Sequence, residues 1–363
     1  MKIILTTGGT GGHIFPALAV AEQLQLRGVE LLFVGSQYGT EAKLAAQAGI
    51  PFRGLPVRGV LGRGLRSIGA AFGLLKAIFQ ARGIVREFGP DAVIGFGAYA
   101  SFAPLVAAWL AGVPLAIHEQ NAMPGMTNRL LARIAHKVFL SLPDSTGAFP
   151  AAKCEETGNP VRTNIAALGE KGKDRDFSGR HLLVMGGSLG ARAINRALIE
   201  NAARLLEAGV SIRHQTGPAN LEQVRRDYAE KGLHADGTGA LSVTAFIDDM
   251  AETYTWADLV LCRAGATSVF ELAAAGKPAV LIPFPYATHD HQTWNAKVMA
   301  ERNAALLVPE NTLPQVDLGK MVLDLLENPA RLQEMSAQAL ACAKPDAANA
   351  VANGLLALCA KKS

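Results

Sequence analysis

Residues 1–27, MKIILTTGGTGGHIFPALAVAEQLQLR, and residues 181–208, HLLVMGGSLGARAINRALIENAARLLEA, decide the fold. Each opens with a short apolar run, Lys2–Thr7 or His181–Met185, breaks into glycines, and continues with apolar residues at helical spacing, over Pro16–Arg27 in the first case and up to Ala208 in the second. An uninterrupted apolar run this short reads as a strand covered on both faces, and strand, glycine turn and helix together form the unit of a parallel sheet. The second start falls almost halfway along the chain, after the polar stretch Gly169–Arg180. An α/β protein of two Rossmann-like, doubly wound domains is therefore expected, about 1–160 and 161–340.

Working outward, the same punctuation predicts strands at Glu30–Val34, Ala92–Ile94, Pro114–His118, Ser211–Gln215, Val243–Ile247, Leu259–Cys262 and Ala279–Pro283. Helices are expected at about Ser101–Ala111, at Asn220–Lys231, and from about Leu318 onward with a kink near Lys344-Pro345. Ala92–Ile117 carries no charge over 26 residues, the length of a membrane span. Gly95, Gly97, Pro104, Gly112 and Pro114 divide it into shorter elements instead.

The composition agrees: 363 residues, 50% hydrophobic and 18% charged, are enough for two cores and exclude disorder. Thirty-five basic against 31 acidic residues give a net charge of +4, which excludes a polybasic nucleic-acid binder. The excess is local. Between Glu41 and Glu87 stand eight basic residues, Lys43, Arg53, Arg58, Arg63, Arg66, Lys76, Arg82 and Arg86, and no acid, a candidate for an anionic surface. The four cysteines, Cys154, Cys262, Cys342 and Cys359, have neither disulfide-framework nor zinc-site spacing, so a reducing compartment is expected. The N-terminus lacks the pattern of a secretory signal.

A glycine turn feeding a helix N-terminus offers unpaired N–H groups and the positive end of a dipole, a site for phosphate or another anion. No Gly-Lys pair is followed by Ser or Thr, so neither turn is a P-loop. Gly95-Phe96-Gly97-Ala98-Tyr99-Ala100 fits the dinucleotide fingerprint, with Glu119 as a candidate ribose-binding acid, and keeps an NAD-dependent dehydrogenase among the alternatives. His13 lies just inside a helix N-terminus, which favours the neutral imidazole that a general base requires. His118-Glu119-Gln120-Asn121 ends a buried strand, where open α/β sheets place ligand-binding groups. His289-Asp290-His291 raises the question of a metal, and Asp174-Arg175-Asp176 resembles the D-x-D of metal-dependent sugar-nucleotide enzymes but reads better as a solvated charge run.

Seven segments then carry a resemblance over nearly the whole chain: GGTGGHIFPALAVAEQL (8–24), GFGAYAS (95–101), HEQNAMPGMTN (118–128), GNPVR (158–162), GGSLGARAIN (186–195), RAGATSVFELAAAGKPAVLIPFP (263–285) and HQTWNA (291–296). In this order they closely resemble the MurG family of bacterial N-acetylglucosaminyltransferases. The chain departs from the usual pattern at Ala98, where glycine is common, and at Leu189, where glutamine is common.

The resemblance implies the GT-B fold: two Rossmann-like domains with a cleft between them, the acceptor and membrane side in the N-terminal one, the donor side in the C-terminal one, and the last helix (341–363) packing back on the first. It implies an inverting transfer of GlcNAc from UDP-GlcNAc to the C4 hydroxyl of the muramoyl sugar of undecaprenyl-diphospho-muramoyl-pentapeptide, in peptidoglycan synthesis. By motif, Thr10, Gly11 and Gly12 lie beside the donor, Asn121 and Gln292 contact the GlcNAc, and Arg162 and Ser188 lie at the diphosphate. Ile247 binds uracil through its backbone, and Ala266, Thr267, Ser268, Val269, Phe270 and Glu271 surround the nucleotide, with Glu271 on the ribose. No cofactor and no metal are expected, and the base is His13 or Glu119. A nucleotide-sugar epimerase of the same fold acting on a soluble substrate is the nearest alternative.

Ile68, Phe72, Leu75 and Phe79 fall on one helical stripe, flanked by Arg63, Arg66, Lys76, Arg82 and Arg86. Such a stripe is either core or, with a lipid-linked acceptor, the seat of a peripheral enzyme on the anionic cytoplasmic leaflet of the inner membrane.

Overall fold

The computed structural model describes residues 1–9, 11–57, 67–171, 175–187, 191–234 and 239–360, of which 67–72 and 171 are described by backbone only. The chain forms two compact units, one of Met1–Arg162 with Lys344–Ser363, the other of Thr163–Ala343.

In the first unit β1 (Lys2–Thr6), β2 (Glu30–Ser36), β3 (Phe52–Leu55), β4 (Ala92–Gly95), β5 (Leu115–Glu119), β6 (Lys137–Leu140) and β7 (Cys154–Glu156) pair in parallel, in the order β3-β2-β1-β4-β5-β6-β7. Successive residues of β1 point to opposite faces. Ile3 and Leu5 join one buried cluster and Ile4 the other, which is why the strand is apolar at every position rather than at alternate ones. The helices are α1 (Gly11–Gln25), α2 (Glu41–Gln47), α3 (Ser67–Phe88), α4 (Phe102–Leu110) and α5 (Met126–Leu131). The uncharged stretch 92–117 is thus β4, a single 3-10 turn, α4 and part of β5, and no described helix is long and apolar enough to cross a membrane.

The second unit starts with α6 (Thr163–Lys171) and repeats the plan. The strands β8 (His181–Met185), β9 (Ser211–Gln215), β10 (Leu241–Thr244), β11 (Leu259–Cys262), β12 (Ala279–Leu281) and β13 (Ala305–Leu307) pair in parallel, in the order β10-β9-β8-β11-β12-β13. Around them lie α7 (Arg192–Glu207), α8 (Leu221–Glu230), α9 (Met250–Trp256), α10 (Ala266–Ala274), α11 (His291–Ala300), α12 (Leu318–Leu326) and α13 (Pro329–Cys342). The final helix, α14 (Ala347–Ala360), belongs to the first unit. There it packs on α1 and contributes Val351, Ala352, Leu355 and Cys359 to the cluster around Ile3 and Leu5.

Several expectations need correction. The first helix begins at Gly11, not Pro16, and holds Pro16 inside it, so the bond that residue 16 would donate to the Gly12 carbonyl is forgone. The third strand of the second unit ends at Thr244, three residues short of Ile247. Lys344-Pro345 is not a kink but a full break between α13 and α14.

Nor is Arg175, in the polar stretch 169–180, part of a solvated charge run. Residues 169–171 end α6, Phe177 is buried, and Arg175 is built into the unit. Its guanidinium donates to the carbonyls of Trp256 and Ala257 at the end of α9 and pairs with buried Asp258 at 3.4 Å. Cations are favoured at a helix C-terminus, so the carbonyls left open there explain the arginine. Asp176 caps Ser178, and Asp174 lies outside the described residues.

Candidate active site

In the first unit, the segments that follow β1, β4 and β5 bring the expected residues together. Gly11 and Gly12 open α1, and His13 follows them on its first turn. A β-carbon on Gly11 would stand 2.8 Å from the Phe15 ring, which accounts for glycine at that position. Gly97, at φ +81°, brings bare backbone against the His13 ring; a β-carbon there would lie 3.4 Å from Nδ1. The next residue, Ala98, sits at φ 60°, ψ 166°, a region that only glycine enters without strain. His13 Nδ1 lies 3.0 Å from Gln120 Oε1.

Glu119 is buried and fully engaged. Its Oε1 accepts from the backbone N–H and the Nδ2 of Asn121, at 3.0 and 3.2 Å. Its Oε2 accepts from the Gly125 N–H and Asn128 Nδ2, at 3.0 and 2.9 Å. Four donors saturate a carboxylate, so Glu119 fixes the 121–128 loop, and the ribose-binding part that the dinucleotide reading gave it has no lone pair left to serve it. His118 is also buried. Its Nε2 faces the Gly158 carbonyl at 3.2 Å, and burial pulls its pKa down to about 4, so it is neutral.

In the second unit the loop after β11 is held from α11. Gln292 Oε1 accepts from the N–H groups of Ala264 and Phe284, at 3.2 and 3.0 Å, and Asn295, one turn on, donates to the Ala264 carbonyl at 3.3 Å. With its carbonyl so used, Gln292 has its Nε2 amide to offer a ligand. Arg263 donates to the carbonyls of Ile282 and Pro283 and pairs with Glu310 at 2.5 Å. Gly265 precedes α10, whose N-terminus is of the kind that accommodates an anion. Within α10, Ser268 is the most open of the six expected residues. Val269 is fully buried, so its side chain faces core rather than nucleotide. Glu271 is buried, with Tyr254 O–H donating to its Oε2 at 3.4 Å. Ile247 lies half-exposed in the loop before α9.

Arg162 falls in the first unit, its guanidinium 4.3 Å from the centre of the Phe15 ring, a cation–π contact. Thr10, Ser188 and Leu189 lie outside the described residues. His289 and Asp290 both adopt left-handed backbone, and no cluster of three His, Cys, Asp or Glu suited to a metal occurs among the described residues.

Of the apolar stripe, Leu75 and Phe79 are 54% and 73% exposed; the side chains of Ile68 and Phe72, and residues Arg58, Arg63 and Arg66, lie outside the described residues. The core face of α3 is Ala77, Ala81 and Val85 instead. Trp109 and Leu110 of α4, and Met126 and Leu130 of α5, are also exposed, on helices that pack in succession beside α3. Lys76, Arg82 and Arg86 are exposed as well, while Arg53 is neutralised by Glu87 at 3.1 Å.

Beside Gln120, already a candidate at the end of β5, sequence reading left three supports without a part: Asn128, Asn295 and Gln215, whose side chain bonds both the N–H and the carbonyl of Gly187. All but Gln215 lie inside the quoted motifs, and a polar residue at the end of a buried strand was the available signal for Gln215.

Comparison with known proteins places these geometries. Residues 3–140 match the glycosyltransferase family 28 N-terminal domain and residues 181–351 the family 28 C-terminal domain. A UDP-N-acetylglucosamine–N-acetylmuramyl-(pentapeptide) pyrophosphoryl-undecaprenol N-acetylglucosamine transferase of Nitratidesulfovibrio vulgaris is 57% identical over 98% of this chain and 97% of its own. The crystal structure of Acinetobacter baumannii MurG superposes with a TM-score of 0.75 at 36% identity, covering 98% and 99% of the two chains. A UDP-GlcNAc 2-epimerase from Neisseria meningitidis, at 16% identity and TM-score 0.68 over 98% and 100%, shares the fold alone. Two parallel sheets, each opening with a glycine turn and each matched by its own half of family 28, assign the chain to the MurG family of GT-B glycosyltransferases.

Proposed function

We propose that the protein transfers GlcNAc from UDP-GlcNAc, with inversion, to the C4 hydroxyl of the muramoyl sugar of undecaprenyl-diphospho-muramoyl-pentapeptide. This converts lipid I into lipid II, a step of peptidoglycan synthesis on which cell-wall growth, shape and division depend. The observation that carries the proposal is 57% identity, over nearly the full length of both chains, to a relative named for this transfer.

An inverting displacement needs a base for the acceptor hydroxyl and stabilisation for the departing diphosphate. His13 is the base in this reading, because Glu119 has no lone pair to spare. The N-terminus of α10 receives the leaving diphosphate, with Ser188 and Arg162 as further expected contacts. Gln292 reads a sugar hydroxyl through Nε2, Asn121 is presented to the sugar by Glu119, and Glu271 takes the ribose. Thr10, Gly11 and Gly12 line the donor, and the backbone at Ile247 meets the uracil.

The exposed Leu75 and Phe79, with Trp109, Leu110 and the exposed basic residues of α3, support peripheral seating on an anionic cytoplasmic leaflet, where the lipid acceptor is found.

The test is radiolabelled UDP-GlcNAc incubated with a lipid I analogue, with and without EDTA. Label should pass to the lipid only when acceptor is present, without nicotinamide and at an unchanged rate in chelator. Label that stays soluble as a 2-epimer without acceptor would return the protein to the epimerases.

A further inference from the structure

The carboxamide of Gln120 is buried and stands at the centre of an unbroken chain that runs out to half-buried His13. Its Nε2 lies 3.0 Å from the Phe96 carbonyl and 3.2 Å from His118 Nδ1, and its Oε1 lies 3.0 Å from His13 Nδ1. The direction of every bond follows from the far end. The Gly158 carbonyl only accepts, so neutral His118 carries its proton on Nε2 and presents a bare Nδ1. The Phe96 carbonyl also only accepts. Two acceptors therefore face one end of the Gln120 amide, which must be its NH₂, and its carbonyl oxygen is turned to His13. An oxygen with no proton to give makes His13 Nδ1 the donor.

We propose that Gln120 is a positioning residue that holds His13 in the Nδ1–H tautomer, so that the ring meets the acceptor hydroxyl with the lone pair of Nε2. This rests on His13 being the base and adds how the ring is prepared for that task. A ring protonated on Nε2 would offer the hydroxyl a donor and could not take its proton; in water that other tautomer is the more populated one, so the selection has to come from the protein. Gly97 completes the seat by admitting the ring against its backbone. The full sequence is Gly158 carbonyl, His118, Gln120, His13: each member fixes the next, and no carboxylate takes part. In the triad of serine hydrolases a carboxylate does this work, and imposing the wrong tautomer there costs about 10⁴-fold in turnover. Here the same selection is made by an amide, itself oriented by a buried histidine.

The test joins a spectroscopic readout to a kinetic one. In protein labelled with ¹⁵N at histidine, the His13 signals are assigned by their loss in His13→Ala. Nδ1 should be pyrrole-type and Nε2 pyridine-type. Gln120→Met, close in shape but without the amide, should shift the ring towards the Nε2–H form and lower kcat roughly 10²-fold or more, with UDP affinity unchanged. A wild-type ring protonated on Nε2, or a folded Gln120→Met variant with wild-type kcat, overturns the proposal. If Gln120→Met does not fold, the wild-type spectrum alone decides. If His13→Ala turns over normally, the assignment of the base fails, while the spectrum still reports whether Gln120 sets the tautomer.

Discussion

The Nδ2 amide of Asn128 donates both to Glu119 Oε2, at 2.9 Å, and to the backbone carbonyl of His118, at 3.0 Å, tying the end of β5 to the start of α5. Glu119 is thereby the hub of the loop that carries Asn121. Replacing it by glutamine turns one acceptor oxygen into an NH₂ facing two donors. Glu119→Gln should cost about 1–3 kcal/mol of unfolding free energy, measured by denaturant titration, and should slow turnover without changing the shape of the pH–rate profile. A variant of wild-type stability with no turnover would make Glu119 the base.

His13→Ala should lower kcat by about 10²–10⁴-fold and leave UDP binding, followed by calorimetry, within twofold of wild type. A matching loss of UDP affinity would move His13 from the chemistry to the donor site.

Ala98 occupies backbone space costing about 1–3 kcal/mol for a residue with a β-carbon. The usual penalty of glycine, about 0.5–1 kcal/mol, should be outweighed. Ala98→Gly is therefore expected to raise stability by about 1 kcal/mol. A decrease would mean that the methyl group makes contacts worth more than the strain.

Glu271→Ala removes a buried carboxylate from α10 and should weaken UDP binding about 10- to 150-fold, equivalent to 1.5–3 kcal/mol. Tyr254→Phe, which removes only the hydroxyl donating to Glu271, serves as the milder control. Unchanged affinity in folded Glu271→Ala would leave the carboxylate a purely structural partner of Tyr254.

Two buried histidines set an acid limit. Burial lowers His118 to about 4 and His214 to about 3, while in the unfolded chain both titrate near 6.5. Below pH 6.5 the unfolded state binds more protons, so stability is complete above that value and is lost as pH falls towards 4 and 3. The slope is at most about 1.4 kcal/mol per pH unit for each ring. His214 is held between Asn195 Oδ1 and the Tyr228 hydroxyl, so His214→Gln should flatten this slope in acid titrations followed by circular dichroism, at some cost in stability near neutrality.

Leu75→Ser with Phe79→Ser should leave the fold intact, since the buried face of α3 is Ala77, Ala81 and Val85. Each side chain removed forfeits up to about 1.5–3 kcal/mol of apolar transfer, enough to release the protein from anionic vesicles in sedimentation. Wild-type binding should weaken but persist in high salt, because charge supplies only part of it. Activity on a short-chain, water-soluble acceptor should survive. A double variant that sediments like wild type would remove the stripe from the membrane reading.

Where apolar runs are bounded by glycine or by charged residues, the sequence alone delimits the strands: β8, β9 and β11 begin and end where the residues say. The edge strands β3 and β7, written FRGL and CEE, carry no such pattern, because an edge strand buries little and its partner supplies the order. Arg175 was unreadable for a related reason: what satisfies it are backbone carbonyls 81 and 82 residues away. The site divides in the same way. His13, Asn121 and Glu271 are legible as chemical types in motifs, but the saturation of Glu119 and the orientation of Gln120 depend on atoms that only the finished fold brings near. The Phe96 carbonyl, 24 residues from Gln120, is one of them.

Because the first unit leaves off at Arg162 and resumes at Lys344, its hydrophobic interior is finished by a segment made after the whole of the second unit. During synthesis the segment 163–343 has its whole sheet out of the ribosome, and can close its core, while Ile14, Ala17 and Val20 still await Val351, Ala352 and Leu355. The order of maturation is thus inverted relative to the order of synthesis. A ribosome stalled or a message truncated before codon 347 would release a protein with a completed second half and a first half whose apolar face remains open to chaperones and proteases.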